Sequence, residues 1–463
     1  MWKYEELFSQ LKRALACIKE QDLNRAERLL LEMKDEMENR GECRELAGEW
    51  YLLLAMARSY DPDQAISLLL KAKNLIGGRS KLIPVGTHMT PDVYGPLFIY
   101  LRKPGKADET GEKLERMFEL YDGLCKGGHR FDHMYRGQLA FYRGELEKAQ
   151  SLLLKADGNA RKSGCVLDQI CAAEYRGRLA IHMRRPVEWL QAFEFICSMQ
   201  KNEKRVLKEV ALYTKCQMRM RVGLMSHVPE WIREGQFGVV ADGPCYRIVE
   251  DNVSYSAFPI AWQTHIRYLL YSGNFTRLIN AADMASSLYR LDRMPLFKSY
   301  LWLEKASAWK ALGDQEKVTE CVRQAVKILA PDGLWLFVAE FVPVLEEYLV
   351  KEIELFGPEA LEHYRRFSKE YPVKLALIRS YMEDSVFREP LTEKEQTVAR
   401  LAALGFKSRE LAEYLSISQN TIKYHLSNIY KKLGIGNRVE LKNAMEKYME
   451  KEYAFWTGMT KKE

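Results

Sequence analysis

LTEKEQTVARLAALGFKSRELAEYLSISQNTIKYHLSNIYKKLGIGNRVELKNAM, Leu391–Met445, divides itself into four short helices by its own start and stop signals. Thr392 opens the first. Its hydroxyl can accept from the Glu395 N–H while the Glu395 carboxylate reaches back to the Thr392 N–H, a capping box. Val398, Leu401 and Ala402 then recur at helical spacing until Gly405, which ends the helix. Ser408 caps a second helix with Leu411, Ala412 and Leu415 on its inner face. After the break Ser416-Ile417-Ser418, Ser418 caps a third helix that stops at Leu433-Gly434. Asn437 and Glu440 form another capping box and start a fourth.

Two helices joined by so short a turn pack steeply against each other. That is the helix-turn-helix, whose second member lies in a DNA major groove. The third helix of the stretch has the two faces this requires. Ile422, Leu426, Ile429 and Leu433 step by four, three and four and make one apolar stripe. Asn420, Lys423, Tyr424, Ser427 and Lys431 fall on the other side. Between Ser418 and Arg438 there are four Lys/Arg and no acid. Amide, hydroxyl and cation suit base edges and phosphates, and the free N–H groups of the helix start suit a phosphate.

These residues resemble the DNA-binding domain of LuxR-type transcription regulators. The resemblance rests on LTEKE (Leu391–Glu395), the Gly405 stop, ELA (Glu410–Ala412) and the spaced pattern from Ile417 to Arg438. It implies that Lys423, Tyr424 and Ser427 face the groove. It also implies that Thr392, Lys407, Ser408, Ser418, Gln419, Thr421 and Lys431 contact the DNA backbone. The plainer reading of each is a helix cap or a solvated charge. Where the family has Ser-Asn-Lys, this chain has Lys407, Ser408 and Arg409, which affects one phosphate contact. Leu441 replaces a common small residue. His425, at the edge of the stripe, reads as a packed, hydrogen-bonded histidine before a phosphate neighbour.

The chain has 463 residues, 47% hydrophobic and 29% charged, with a net charge of +7. That is globular, with room for two or three domains. Nine cysteines, odd in number and without a C-x-x-C pair, read as reduced core thiols of a cytoplasmic protein. No signal peptide is expected at Met1. The most apolar run, Gly333–Val350, is broken by Glu340, Glu346 and Glu347 and does not read as a membrane span.

From Met1 to about Tyr381 the chain reads as helix throughout. One phrase recurs: a helix, a short polar turn, and a second helix with a small residue early. It occurs at Lys19–Met33, Arg58–Ile76, Phe141–Ala156, Met183–Ile196, Leu270–Ala285 and Lys310–Leu329, at intervals of about 40 residues or multiples of it. Gly, Asp or Asn makes the turn. Ala26, Ala65, Ala149 and Ala325 let neighbouring helices approach. One pair cannot bury its stripe, but a row of pairs can. The pattern resembles the degenerate tetratricopeptide-type repeats of MalT-like regulators, and LAPDGLWLFVAEF (Leu329–Phe341) resembles their last repeats. The expected fold is all-α: a tetratricopeptide-like helical repeat superhelix over residues 1–384, a linker over 385–390, a four-helix LuxR-type domain over 391–450 and a tail over 451–463.

Two stretches depart from this phrase. Ile83–Lys106, with four prolines and three glycines, reads as a long loop packed over the repeats through Tyr94, Phe98 and Tyr100, a structural cover first and a ligand or partner surface second. Cys125–His133 holds Cys125, His129, Asp132 and His133, but two glycines loosen it and a fourth ligand is not evident, so it reads as a turn and no metal is expected.

MalT-like regulators usually carry a nucleotide-binding module, yet G-x-x-x-x-G-K-[ST] is absent here, as are G-x-S-x-G and H-E-x-x-H. Paired acids read as solvated helix surface. No enzyme activity and no cofactor are expected. The resemblance implies double-stranded DNA as partner, a homodimer on DNA, contact with RNA polymerase, and a small-molecule inducer or protein effector on the repeats. The alternative from another class is a repeat-based protein-interaction scaffold with a degenerate helix-turn-helix.

Overall fold

The structure is a computed structural model. It describes the chain apart from residues 1–3, 20–21, 40–43, 84–94, 126–129, 200–204, 226–227, 236–257, 289–293, 383–392, 404, 416, 434–437, 439 and 443–463. Among the described residues every regular element is a helix, and there are no strands.

Each of the six recurring phrases marks the turn of an antiparallel helix pair. Tyr4–Lys19 packs on Leu23–Leu31, Arg44–Ala57 on Pro62–Ile76, and Asp132–Tyr142 on Leu146–Ser163. Val166–His182 packs on Pro186–Met199, Phe258–Tyr271 on Phe275–Leu288, and Pro295–Ala311 on Gln315–Leu329. One hydrogen-bond scheme closes most of these turns. The residue that opens the second helix donates to the carbonyl five positions back: Asp22 to Cys17, Glu145 to Ala140, Arg185 to Ala180, Asn274 to Leu269 and Asp314 to Trp309, at 2.8–3.1 Å. In four of the five the preceding residue lies in the left-handed region, which Gly144, Gly273 and Gly313 reach without a Cβ penalty. Arg184 takes that position in the fourth pair at φ 56°, the reason the phrase is hardest to recognise there.

Asp22, Asp61 and Asp314 then cap their second helices, each accepting the backbone N–H three residues on at 3.1 Å. Ala26, Ala65, Ala149 and Ala325 are fully buried, as the close approach of helices demands. The pairs share one apolar core running from Leu7 to Ile378.

One expectation about the repeat body needs correction. Part of Ile83–Lys106 is helical, not loop: Pro96–Tyr100 forms a short helix with Pro96 in its first turn, and all five residues are buried. The Tyr100 hydroxyl donates to Ser59 O (3.0 Å), and the Gln138 Oε1 accepts the Leu97 N–H (2.9 Å). Phe98 and Tyr100 pack as expected, whereas Tyr94 lies outside the described residues. The paired acids Glu5-Glu6, Asp108-Glu109 and Glu346-Glu347 are exposed, as expected of solvated helix surface, but several single acids are not. Glu49, Glu174, Glu304, Asp332 and Glu352 are buried, and the side chain of Glu340 is 7% exposed, held among arginines.

In Cys125–His133, Asp132 receives a bidentate Arg130 (2.9 and 2.7 Å) and the His133 ring meets Asn159 at 3.1 Å. Cys125 is fully buried, which pushes its thiol up to about 12, while His129 lies outside the described residues. No group of metal-capable side chains is assembled among the described residues. The seven described cysteines are all free thiols. No described helix is long and apolar enough to cross a membrane.

One contact joins distant parts of the body. Asp332, the last residue of the 3-10 helix Ala330–Asp332 that precedes the 3-10 segment Trp335–Phe341, accepts the Gly105 and Ala107 N–H groups at 2.7 and 2.9 Å. Its carboxylate thereby caps the helix Ala107–Leu124, whose own preceding residue, Lys106, supplies no side-chain cap. Arg143 ties the same place down. It donates to Asp332 O at 3.0 Å and grips Asp108 with both Nη atoms at 2.9 and 2.8 Å.

Candidate nucleic-acid interface

Three helices after the repeat body have their own core. Glu393–Ala403, Ser408–Leu415 and Gln419–Leu433 surround Val398, Leu401, Ala402, Leu411, Ile422 and Ile429, all at most 1% exposed. The break between the first two is built by Gly405 at φ 93°. It lets the Gly405 N–H reach Ala402 O (3.1 Å) and the Phe406 N–H reach Leu401 O (3.3 Å).

Ser408 is not the cap expected of it. It is the first helical residue, and the cap position falls on Lys407, whose N–H donates to Glu410 Oε2 at 2.6 Å. The cause is the acid three residues after Lys407, which supplies the reaching-back half of a capping box without a hydroxyl at its start. Ser418 does cap the third helix. Its Oγ accepts the Thr421 N–H at 3.1 Å and lies 2.7 Å from Thr421 Oγ1.

The third helix presents two opposed faces. Ile422, Leu426 and Ile429 are 0%, 7% and 0% exposed. On the far side Lys423, Tyr424 and Ser427 are exposed, Tyr424 by 66%, unusual for a large aromatic side chain. Gln419 and Asn420 are exposed at the helix start, and Lys407 is exposed just before the second helix, Ser408–Leu415. Ser408 and Thr421 are half-buried. His425 is half-buried too, its ring edge-on to Tyr424 at 6.1 Å. Lys431 lies on the helix, but its side chain, like that of Leu433, is outside the described residues, as are Thr392 and Asn437.

The structure gives two residues of this small fold packing roles that the sequence reading did not assign. Arg438 donates through Nε to Ala402 O at 3.1 Å, fastening the segment after the third helix to the end of the first. Leu441 is fully buried in the same core. The signal for Leu441 was its apolar character four residues from Asn437. For Arg438 no local signal separates a buried fastening from a phosphate contact.

An apolar stripe beneath, a cation, an aromatic ring and a hydroxyl above, and a capped start form a rod that a major groove can accept. Comparison with known proteins agrees. Residues 389–444 match the family described as bacterial regulatory proteins, luxR family. The chain is 33% identical over 102 residues to the HTH-type transcriptional regulator MalT of Vibrio cholerae, covering 22% of this chain and 11% of that protein. It is 40% identical over 58 residues to the transcriptional regulatory protein UhpA of Salmonella typhimurium (12% and 30%). It is 46% identical over 52 residues to the Fimbriae Z protein of the same organism (11% and 25%). The chain thus spans less than a third of the length of each of these relatives. No solved structure matches. The three-helix core, its exposed polar face and these likenesses together make residues 389–444 a helix-turn-helix domain of the luxR family of bacterial regulatory proteins.

Proposed function

We propose that this chain is a cytoplasmic DNA-binding transcription regulator and not an enzyme. The helix Gln419–Leu433 enters the major groove of promoter DNA, where Lys423, Tyr424 and Ser427 discriminate among bases. Thr392, Lys407, Ser408, Ser418, Gln419, Thr421 and Lys431 hold the phosphate backbone. Residues 391–450 form the DNA-binding unit, and residues 1–384 form a repeat body that receives a small-molecule or protein signal. The active species on DNA is a homodimer reading paired half-sites, with RNA polymerase as a further partner.

The observation that carries this reading is the exposure of Lys423, Tyr424 and Ser427 opposite the buried Ile422, Leu426 and Ile429. A face used only for docking within this chain would be covered. Titrating salt against binding to a random-sequence duplex tests it. A regulator loses affinity steeply as salt rises because counterions are released from the phosphates it neutralises. Absence of binding at low salt refutes the reading.

A further inference from the structure

The repeat body buries an ion cluster that the DNA-binding reading leaves unused. Arg178, Arg221 and Arg267 come from three helices, Val166–His182, Arg205–Arg221 and Phe258–Tyr271. All three converge on Glu340, in the 3-10 segment Trp335–Phe341. Glu340 Oε1 accepts from Arg178 Nη2 at 2.8 Å and from Arg221 Nε at 3.0 Å. Its Oε2 lies 3.1 Å from Arg267 Nη2. The three arginine side chains are 5%, 3% and 2% exposed.

Aromatic residues frame the cluster. Arg178 donates to the hydroxyls of Tyr142 (2.6 Å) and Tyr300 (3.0 Å), and the Arg267 guanidinium lies 5.3 Å from the Tyr300 ring centre.

Its hydrogen bonding is incomplete. Arg267 Nη1 and both carboxyl oxygens of the fully buried Glu304 find no hydrogen-bond partner among the described residues. The nearest approach of the two groups is Arg267 Nε to Glu304 Oε1 at 3.6 Å, too long for a hydrogen bond. Burial pushes the Glu304 carboxyl up to about 8, which favours its neutral form at pH 7, and leaves Glu340 with the buried Glu174, 3.6 Å from Arg221, to face the three guanidiniums.

A cluster that only holds helices together gains little from this chemistry. Taking ions out of water costs several kcal/mol each, and apolar side chains of the same volume commonly stabilise a core as well or better. Three planar forks aimed at one point instead form the donor set that recognises a carboxylate or a phosphate. The group now at that point belongs to the chain itself. It rides on a seven-residue 3-10 segment, longer than such helices usually run and weaker in its hydrogen bonds.

We propose that Arg178, Arg221 and Arg267 form the effector site of the repeat body, that its ligand is a small oxyanion, a carboxylate or a phosphate, and that Glu340 is a tethered stand-in which the ligand displaces. The proposal rests on the reading of the body as the signal-receiving part and gives that signal a chemical class. Displacement would release Trp335–Phe341, which packs against the helix Pro358–Ser368 on the way to the DNA-binding unit. A ligand that prefers the released arrangement shifts the population toward it.

The test uses the full chain and exchanges chloride for inorganic phosphate or for succinate at constant ionic strength. Glu340→Ala should melt well below the parent protein in chloride and recover much of the loss in at least one of the two oxyanions. The parent should respond less, because its own carboxylate competes at high effective concentration. Adding Arg267→Met to Glu340→Ala should abolish the recovery. The larger of the phosphate and succinate responses assigns the ligand class. If Glu340→Ala does not fold, Glu340→Gln keeps the volume without the charge, and calorimetric affinity for the better anion should rise about tenfold or more over the parent once the tethered competitor is gone. Recovery no greater than in chloride, recovery that survives Arg267→Met, or equal affinities in Glu340→Gln and the parent overturn the proposal. Salt-titrated duplex binding by the same preparations separates the two readings. Intact duplex binding with a failed anion response refutes only the effector site.

Discussion

Replacing Asp332 with alanine should cost far more than removing an ordinary helix cap. The Asp332 carboxylate accepts two backbone N–H groups, those of Gly105 and Ala107, at separations of 227 and 225 residues. Alanine leaves both without an acceptor, and the Ala107 N–H is buried. Each orphaned donor costs about 1–3 kcal/mol, the partly exposed Gly105 toward the lower end. Losing a negative charge at the start of Ala107–Leu124 adds about 0.3–1 kcal/mol. The expected total is about 3 kcal/mol. Asp314→Ala is the internal control, since Asp314 caps only its own repeat through the exposed Lys317 N–H, a contact worth about 1 kcal/mol. Asp332→Asn keeps one acceptor and should fall between. Urea unfolding gives the stability difference, and amide exchange at Gly105 and Ala107 should accelerate in Asp332→Ala. Equal losses in Asp332→Ala and Asp314→Ala, or unchanged exchange at those amides, would show that the long-range cap has no energetic role.

Lys423→Ala should weaken DNA binding by about 1–3 kcal/mol and relax preference at one base position, read by selection from a random duplex pool; unchanged affinity and preference remove Lys423 from the reading face. Ser418→Ala should destabilise the DNA-binding unit by about 1 kcal/mol by freeing the Thr421 N–H, visible as a lower melting temperature for that unit. Glu304 makes a prediction about pH. Its folded-state value is raised from 4.5 to about 8, so the native protein keeps a proton that the unfolded chain releases. The Glu304 contribution to stability should therefore fall as pH climbs from about 4.5 to about 8, with a slope of at most ~1.4 kcal/mol per pH unit; His182 offsets it below about 6.5, so the net decline is expected between about 6.5 and 8. Glu304→Gln should flatten that decline. It should leave the acid-side loss caused by His182, whose buried ring is lowered to about 3 and must charge as pH falls. A decline of the same slope in Glu304→Gln would contradict the assignment.

The turns were legible in the sequence because each is a local event. A glycine or polar residue closes the first helix, an aspartate often caps the second, and an alanine follows at the contact. All of this fits within about 20 letters, as in Lys310–Leu329. The two faces of Gln419–Leu433 were legible for the same reason. The cap of the second helix was misplaced by one residue because Ser408 is a better cap by type, while Glu410 acts on Lys407 by position.

The buried ions were not legible. An arginine in a helical pattern looks the same whether it meets water or Glu340, and Arg178 and Glu340 stand 162 residues apart. The stretch Leu329–Phe341 stood out for its likeness to other repeats and as part of an apolar run that Glu340 interrupts, not for its partners. In the folded chain it supplies both Asp332 and Glu340, the two acids that bind distant helices.

An open stack of helical hairpins can be shortened from either end, since every unit leans only on its neighbours. Asp332 denies this chain that freedom. A version trimmed before Asp332 would strip the amino end of Ala107–Leu124, and the damage would surface more than two hundred positions upstream of the cut. Such a protein should come apart as one body, not peel hairpin by hairpin.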